Sequence, residues 1–513
     1  MNGLATALWW LGEVSEAMRC WEAAYAGFRR RGDSVQAVVV AVHLSLLHNA
    51  NFGNRAVSAG WSARAARLAD ALEMPVIHGW VLLTKAVTCT DPEQGQAWAR
   101  EAQQLAAESD DRDLELCALS TLGSALVDEG RVEQGAALLE EALAASLAGE
   151  TDNPETVVFT SCLLMQSCYR CADFVRVAQW AKALDAFIER YGCPYVNATC
   201  RAHHGAMLFA SGDWQRAEEE LAVARRLAGD ALPAVQAEAL AYLADLRLAQ
   251  GQVEEARRLL AGFEHHVVVA PVLAAAWLAG GDAAVAVSTV LRSLDQAGGR
   301  HLEAARLREV LGEARLALGE QDGAADQGQR LADLGARLGC ELMVARGERL
   351  VGRALLSGPG SPGAEPEASP HLEEALAAFS LLEMPLEVGR TRMLLAEAVH
   401  ADATEVAVAE ARAALTLFED LGAAGDADAA ASWLRAHGAT AARAGPRGLS
   451  VLTKRERGVL AVVGEGLSNP EIAERLYISR RTVEHHVAAI LAKLGLRNRA
   501  EAAAYAARHL AAK

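Results

Sequence analysis

The chain has 513 residues, of which 52% are hydrophobic and 5% aromatic, and its formal net charge is −17. This length accommodates two to four domains, and abundant leucine and alanine with few β-branched runs favour helices over sheet. The uncharged stretches 34–54 and 267–281 are too polar and too short, respectively, to cross a membrane, and no basic segment opens the chain as in a signal peptide. We therefore expect a cytoplasmic protein that makes no membrane contact.

The net charge hides an asymmetry along the chain. Residues 446–513 contain 12 Lys and Arg against 6 Asp and Glu, whereas residues 1–445 contain 37 against 60, so the two parts carry +6 and −23. A basic module on an acidic body is typical of a nucleic-acid reader joined to a part that does not bind nucleic acid. An acidic body that masks the basic module is a second interpretation.

Small residues recur at fixed offsets through the body of the chain. In the clearest instance they are 7, 5 and 7 positions apart, at Gly205, Gly212, Ala217 and Ala224. Five further instances begin at Ala5, Gly123, Ala244, Ala274 and Gly312 and place their second small residue at Gly12, Gly130, Gly251, Gly281 and Gly319. We interpret each as a helix, a turn at that second residue, and another helix that crosses the first closely.

The repeat predicts an α-solenoid. From Gly205 onward the markers follow each other at roughly the 34-residue period of tetratricopeptide repeats, and stacked helix pairs form a superhelix with a concave face. Such a groove typically binds a peptide, a partner protein or a small molecule, although a purely structural spacer would show the same pattern. Because Ala5 already belongs to the first helix, we expect that helix to be covered by self-association or by an upstream segment.

Two segments should interrupt the helices. Residues 357–370 hold four of the 13 prolines, with glycine and serine, and predict a flexible loop. After helices predicted at about 385–400, 404–422 and 426–437, residues 438–451 are rich in Ala, Gly and Arg and predict a linker. The predicted parts are thus a helical-repeat domain, 1–437, and a C-terminal module, 452–513.

Five of the nine cysteines lie close together in the sequence, at positions 162, 168, 171, 193 and 200. The pair Cys168 and Cys171 has a spacing that occurs among metal ligands, but no second such pair completes a four-ligand zinc pattern. Since cysteine also serves as a small buried residue in helical repeats, we interpret these thiols as structural and expect no metal or cofactor.

The body of the chain resembles a known group of proteins. The segments Gly53-Asn54, His78-Gly79-Trp80 and Ala178-Gln179-Trp180 look like the helical-repeat half of large LuxR-type regulators from high-GC bacteria. Members of that group also carry an ATPase domain, but this sequence has no Gly-x-x-x-x-Gly-Lys-Ser/Thr phosphate loop. It also has no Gly-x-Ser-x-Gly or His-Glu-x-x-His motif, so we do not expect an enzyme.

The last sixty residues predict four short helices with explicit start signals. Thr453 with Glu456, Ser468 with Glu471, and Asn498 with Glu501 have the spacing of capping boxes. Ser479 is suited to cap the third helix, which should end at Gly495. A short helix, a tight turn and a longer helix that begins with arginines form a helix-turn-helix.

The same residues resemble a family. Leu-Thr-x-Arg-Glu from Leu452, Gly-Leu-Ser-Asn-x-Glu-Ile-Ala from Gly466, Ile-Ser-x-Arg-Thr-Val-Glu-x-His-Val from Ile478 and Lys-Leu-Gly from Lys493 are similar to the LuxR-type helix-turn-helix domain of bacterial transcription regulators. Together with the repeat in the body of the chain, the resemblance predicts an all-α chain, a tetratricopeptide-like solenoid followed by a four-helix DNA-binding domain. A helical tail that no longer binds DNA is the alternative.

The third helix has two predicted faces. Val483, Val487, Ile490, Leu491 and Leu494 recur at core spacing, and the opposite face should enter the major groove. There Glu484 is suited to cytosine, His485 to guanine and Ala488 to a thymine methyl group. The candidates for phosphate contacts are Arg480, Arg481, Thr482, Lys493 and Lys454. The resemblance adds His486 to the DNA-contacting stretch, although packing against its own helix would also explain that side chain.

The fourth helix, about 499–510, carries an alanine-rich face with Tyr505. In the family this helix pairs two domains, which predicts a weak homodimer and an inverted-repeat operator. We therefore predict a sequence-specific transcription regulator, by resemblance an activator, that binds double-stranded DNA. Its repeat domain would sense a peptide, protein or small-molecule signal or recruit RNA polymerase. A repeat-based scaffold with secondary DNA binding is the alternative.

Overall fold

The computed structural model describes residues 2–89, 91–297, 301–357 and 364–439, and, beyond these, 452, 454–464, 466–476, 479–494, 499, 502–503 and 505–506. All regular structure in this part is helical, with 26 α-helices and two short 3₁₀ helices. The α-helices are α1 Asn2–Trp10, α2 Val14–Arg31, α3 Ser34–Ala50, α4 Arg55–Ala69, α5 Pro75–Thr88, α6 Pro92–Ser109, α7 Arg112–Asp128, α8 Val132–Ala148, α9 Glu155–Arg170, α10 Phe174–Tyr191, α11 Pro194–Ala210, α12 Trp214–Ala228, α13 Pro233–Ala249, α14 Val253–Leu260, α15 Ala270–Ala279, α16 Ala283–Ala297, α17 His301–Ala317, α18 Gln321–Leu338, α19 Glu341–Leu356, α20 Ala364–Leu381, α21 Pro385–Val399, α22 Thr404–Leu421, α23 Ala424–Ala436, α24 Lys454–Gly464, α25 Asn469–Leu476 and α26 Arg480–Leu494. No helix among the described residues is long and apolar enough to cross a membrane.

The six helix pairs predicted from the small-residue pattern are confirmed. They are α1 with α2, α7 with α8, α11 with α12, α13 with α14, α15 with α16 and α17 with α18. All six predicted turn glycines have a φ between +79° and +95°, a backbone conformation that other residues adopt only with strain. Each pair is a helical hairpin, and pairs stacked side by side make the array a tetratricopeptide-like α-solenoid.

Close helix crossings explain the other small residues of the pattern. A Cβ atom placed on Gly123 of α7 would lie 2.7 Å from the carbonyl oxygen of Gly135 in α8. At Gly205 of α11 it would lie 2.7 Å from the Cγ atom of Leu221 in α12. Both distances are shorter than van der Waals contact, so the paired backbones approach as closely as they do only because no side chain separates them.

The solenoid winds tightly enough for successive superhelical turns to touch. Gly12 packs on Pro194, Gly130 on Leu338, and Gly212 on both Pro385 and Leu421. The Asn51 carbonyl also accepts a hydrogen bond of 3.0 Å from the backbone N–H of Ala234. The loops of early hairpins therefore rest on helices that follow much later in the chain.

The first helix is partly covered by this winding. Trp9 is 6% exposed, and its ring centroid lies 6.1 Å from that of Tyr195 in α11. Trp10 lies against Phe187 and Tyr191 of α10, with ring centroids 6.4 and 6.2 Å away. Some of the cover that we expected from a second copy or an upstream segment thus comes from α10 and α11 of the same chain.

The odd-numbered helices from α1 to α23 line the inside of the superhelix, where two cavities of similar size lie in succession. The first, of about 930 Å³, is enclosed mainly by α1, α3, α5, α7, α9, α11 and α13. The second, of about 940 Å³, lies among the odd-numbered helices from α9 to α23. The second contains an ion-pair network in which Arg306 binds Asp245 and Arg390 binds Asp426 through two hydrogen bonds each.

The loop predicted at 357–370 is wrong over its second half. Helix α20 begins at Ala364 and contains Pro370, while residues 358–363 lie outside the described part. Ala368 and Leu372 are fully buried against α19 and α21. Their burial favours the helix, and it offsets the hydrogen bond that Pro370 cannot donate. The helices predicted before the linker are confirmed as α21, α22 and α23, whereas 440–451 of the predicted linker is not described.

The clustered cysteines are packed into the array as free thiols. Burial raises the pKa of both Cys168 and Cys171 to about 12, and that of Cys200 to about 12 as well. Thiols with such pKa values remain protonated at neutral pH and are poor nucleophiles. Among the described residues, no group of three or more His, Cys, Asp and Glu side chains is arranged to hold a metal ion.

Candidate nucleic-acid interface

A separate hydrophobic core lies within residues 452–506. Val459, Leu460 and Val463 of α24, Ile472 of α25 and three residues of α26 form most of it. Those of α26 are Val483, Ile490 and Leu494, each at most 1% exposed, with Val487 and Leu491 packed beside them. The predicted core stripe of the third helix is therefore confirmed.

Helices α25 and α26 have the arrangement of a helix-turn-helix. Three residues separate the end of α25 at Leu476 from the start of α26 at Arg480, and the two helices pack on each other. Arg455 of α24 donates a hydrogen bond of 2.8 Å to the Leu476 carbonyl, which ties the first helix to this turn. The longer helix is thus held by both of the helices before it.

Hydrogen bonds from side chains cap the N-terminal ends of α25 and α26. The Ser479 hydroxyl accepts a hydrogen bond of 3.1 Å from the Thr482 N–H and lies 2.7 Å from the Thr482 hydroxyl, so Ser479 caps α26 as predicted. At α25 the Glu471 carboxylate accepts hydrogen bonds of 2.6 Å from both the N–H and the hydroxyl of Ser468, which lowers the pKa of Glu471. This is the glutamate half of the predicted capping box. Thr453, Gly495, Asn498 and Glu501, named in the other predicted caps, lie outside the described residues.

The described candidate contact residues cluster at the first turns of α26. Arg480 is exposed, Thr482 and His486 are half-buried, and both Arg480 and His486 interact with other groups of the protein. Arg481, Glu484, His485, Ala488 and Lys493 lie in α26, and Lys454 opens α24, but their side chains are not among those described. Among the described side chains at the N-terminal end of α26, those of Ser479 and Arg480 are exposed.

Three described residues of the predicted fourth helix, Ala502, Tyr505 and Ala506, pack in the core formed with α24, α25 and α26. Tyr505 is 2% exposed, and its ring buries more apolar surface in this core than the alanines around it. Sequence reasoning missed Arg499, which donates hydrogen bonds to Asn469 (2.7 Å) and to the Leu467 carbonyl and so anchors the start of α25.

Comparison with known proteins agrees with this geometry. Residues 450–506 match the family model described as bacterial regulatory proteins, luxR family. The transcriptional regulatory protein LnrK of Bacillus subtilis (strain 168) is 52% identical over 64 residues, 12% of this chain and 29% of that protein. The DNA-binding transcriptional activator DevR/DosR of Mycobacterium tuberculosis (strain ATCC 25618 / H37Rv) is 45% identical over 58 residues, 11% of this chain and 27% of that protein.

The chain therefore spans less than a third of the length of these two relatives. The crystal structure of a Rap protein complexed with Competence and Sporulation Factor aligns with 64% of this chain and 98% of its own, at a TM-score of 0.39 and 12% identity. The sequence match, the shared core, the three-residue spacing between α25 and α26 and the cap on α26 all coincide in one segment. Residues 450–506 are a LuxR-type helix-turn-helix domain, which follows a tetratricopeptide-like helical array in this chain.

Proposed function

We propose that this protein is a sequence-specific, DNA-binding transcription activator of the bacterial cytoplasm. The observation that carries the proposal is the LuxR-type helix-turn-helix domain, in which the capped N-terminal end of α26 is exposed. A helix presented in this way enters the major groove of B-DNA, whose base edges distinguish all four base pairs. The charge of +6 on residues 446–513 favours approach to the phosphates.

Within this proposal the residues of α26 divide into two roles. Glu484, His485 and Ala488 read base edges from the face opposite the core stripe. Phosphate contacts come from Arg480, Arg481, Thr482, Lys493 and Lys454, and His486 belongs to the DNA-contacting stretch by its resemblance to the family. Base contacts give sequence specificity, whereas phosphate contacts fix the position of the protein on the DNA. The division of the residues between these two roles rests on helical spacing and on the exposed position of Arg480.

The remaining parts of the proposal concern the array and assembly. Residues 1–437 would form a signal domain, joined through a linker at 438–451 to the DNA-binding domain 452–513. The helix at 499–510 would pair two copies on an inverted repeat, and the alanines of this helix would form the contact because Tyr505 is buried in the core. RNA polymerase is the partner that an activator needs on DNA.

Selection from a pool of random DNA duplexes tests the proposal. The full chain and the fragment 446–513 are selected in parallel, since the fragment contains the complete core of the DNA-binding domain. Enrichment of a palindrome by the fragment supports the proposal. If the full chain enriches nothing while the fragment does, the acidic array masks the DNA-binding surface.

The scaffold alternative makes a different prediction. If neither protein enriches a sequence at low salt, where phosphate contacts are strongest, DNA reading is not the function. Arg481→Ala provides a second discrimination, because it should abolish operator binding and leave partner binding by the array unchanged. A regulator loses its function with that substitution, whereas a scaffold keeps it.

A further inference from the structure

The first cavity of the superhelix has the dimensions of a small-molecule site. Its volume of about 930 Å³ falls within the range of known ligand pockets, roughly 300 to 1,000 Å³. Much of its wall is apolar, with Val39, Leu46 and Phe159 among the lining residues. Val39 is 39% exposed although it lies on an inner helix, so its side chain borders open space within the array.

Contacts between superhelical turns close one side of this cavity. The loop between α3 and α4 is joined to α13 by the hydrogen bond from Ala234 N–H to the Asn51 carbonyl. In the same loop, a Cβ on Gly53 would lie 3.0 Å from Nδ1 of His266. The wall is therefore continuous from α3 to α13 on this side, which favours a compact guest over an extended peptide.

Several polar groups in the cavity lining lack a hydrogen-bond partner. They are Asn51 Nδ2, Thr199 Oγ1, Trp9 Nε1 and His43 Nε2. Asn51 and Thr199 are each 1% exposed and Trp9 is 6% exposed. Buried polar groups are almost always paired in folded proteins. The four atoms themselves have almost no accessible surface, so they lie behind the cavity wall and mark incomplete hydrogen bonding there, not a contact with a guest.

The charges of the lining restrict what that guest can be. The acidic lining residues are Glu155 and Glu238, and the basic ones are Arg55, His43, His265 and His266. Burial lowers the pKa of His266. Burial lowers the pKa of His43, whose ring lies 3.5 Å from Glu155, so this ring is neutral at neutral pH. Arg55, also in the lining, already interacts within the protein. A carboxylate or phosphate would lose its hydration beside two acidic side chains, which disfavours an anionic guest.

The second cavity differs from the first in the charges of its lining. Its arginines are matched by carboxylates, as in the pairs Arg306 with Asp245, Arg346 with Glu309 and Arg390 with Asp426. Each pair satisfies its own charges, so this network needs no guest. The more apolar wall of the first cavity makes it the better candidate for an uncharged guest.

We propose that the first cavity binds an uncharged, largely apolar small molecule. Such a guest buries its apolar body against Val39, Leu46 and Phe159. The assignment of this molecule as the signal rests on the proposed function, since only a DNA-binding regulator has an output for it. Binding itself is independent of that function.

Titration of the full chain with Nile red, an uncharged apolar dye, tests the site. We expect saturable binding of one dye per chain with a blue-shifted emission. Val39→Glu places a carboxylate in the apolar wall and should weaken binding at least tenfold. Val406→Glu is the matched control, because Val406 is also an exposed helical valine, at 52%, and lies in the outer helix α22. It should bind the dye as the parent does.

Two further measurements keep the result decisive. Val39→Trp narrows the cavity without adding charge and should weaken binding at least threefold, which covers the case in which Val39→Glu does not fold. The anionic dye 8-anilinonaphthalene-1-sulfonate should bind at least tenfold more weakly than Nile red. Equal Nile red affinity of the parent and the Val39 variants, or equal affinity for the two dyes, overturns the proposal. DNA selection is measured separately, so loss of operator binding with intact dye binding refutes only the proposed function.

Discussion

Replacing Gly130 by alanine tests the contact between successive turns of the superhelix. Gly130 lies in the loop between α7 and α8 with a φ of +89°, and its backbone N–H donates to the Val127 carbonyl at 2.9 Å. A Cβ at this position would overlap the Cα of Leu338 and lie 2.9 Å from its Cβ. Leu338 ends α18, so its backbone cannot move without shifting a helix of the next turn.

The magnitude has two components. A left-handed φ costs an alanine about 1–2 kcal/mol, and overpacking against a rigid neighbour costs about 1–3 kcal/mol more. Gly149→Ala separates them, because Gly149 ends α8 with a φ of +87° but a Cβ placed on it would have no atom within 4 Å. We expect Gly149→Ala to cost about 1–2 kcal/mol and Gly130→Ala to cost about 2–5 kcal/mol.

Urea unfolding followed by circular dichroism measures the difference. With a urea dependence of about 3 kcal/mol per M, Gly149→Ala should lower the midpoint of the affected unfolding transition by about 0.5 M and Gly130→Ala by about 1 M. The comparison of midpoints remains meaningful even when a long array unfolds in more than one step. Equal shifts for the two variants would refute the tight stacking of superhelical turns at Gly130.

Three further predictions concern the cavity, the ion-pair network and the DNA-binding helix. Thr199→Val removes a buried hydroxyl without a partner and should stabilise the array by about 1 kcal/mol in a thermal melt, whereas Thr160→Val, which loses a 2.9 Å hydrogen bond to Thr156, should destabilise it by about as much. Burial raises the pKa of Glu387, but Arg349 and Arg390 outweigh it and lower the pKa to about 2 from 4.5. A carboxyl whose pKa is lower in the folded state stabilises the fold above pH 4.5. About 3 kcal/mol of the free energy of unfolding should therefore be lost between pH 4.5 and 2. Glu387→Gln should reduce this loss when the free energy of unfolding is measured against pH. Arg480→Ala should reduce the slope of log affinity against log salt by about 1 and weaken operator and random DNA alike; loss of sequence preference alone would contradict a phosphate role.

Much of the fold was predictable because each helical hairpin of the chain has the same local requirements. Each hairpin needs a left-handed turn and a close crossing, and only small residues satisfy both, so Gly12, Gly212 and Gly251 could be assigned from spacing alone. The start of α26 was equally local, since the Ser479 cap depends on residues three positions apart. Local constraints of this kind can be recognised in short stretches of sequence.

The features that sequence reasoning missed depend on residues far apart in the chain. Nothing near Gly130 indicates that Leu338 will lie against it, and nothing near Asn51 indicates Ala234. Helix α20 runs through Pro370 because Leu372 finds a buried place against neighbouring helices, which a count of prolines does not register. The closure of the superhelix, and with it both cavities, follows from these distant contacts.

The closed superhelix suggests how occupancy of the first cavity can act at a distance. Its wall contains residues of α3 and of α13, and the loop after α3 is joined to α13 by the contact between Asn51 and Ala234. A guest that touches both sides binds the closed arrangement more tightly than an opened one, and it shifts the equilibrium by no more than that difference in affinity. A difference of tenfold corresponds to about 1.4 kcal/mol, comparable to the strain that alanine introduces at a left-handed glycine. A ligand and a loop substitution such as Gly130→Ala would therefore act on the same winding of the array with opposite signs, and the ligand should recover part of the stability that the substitution removes.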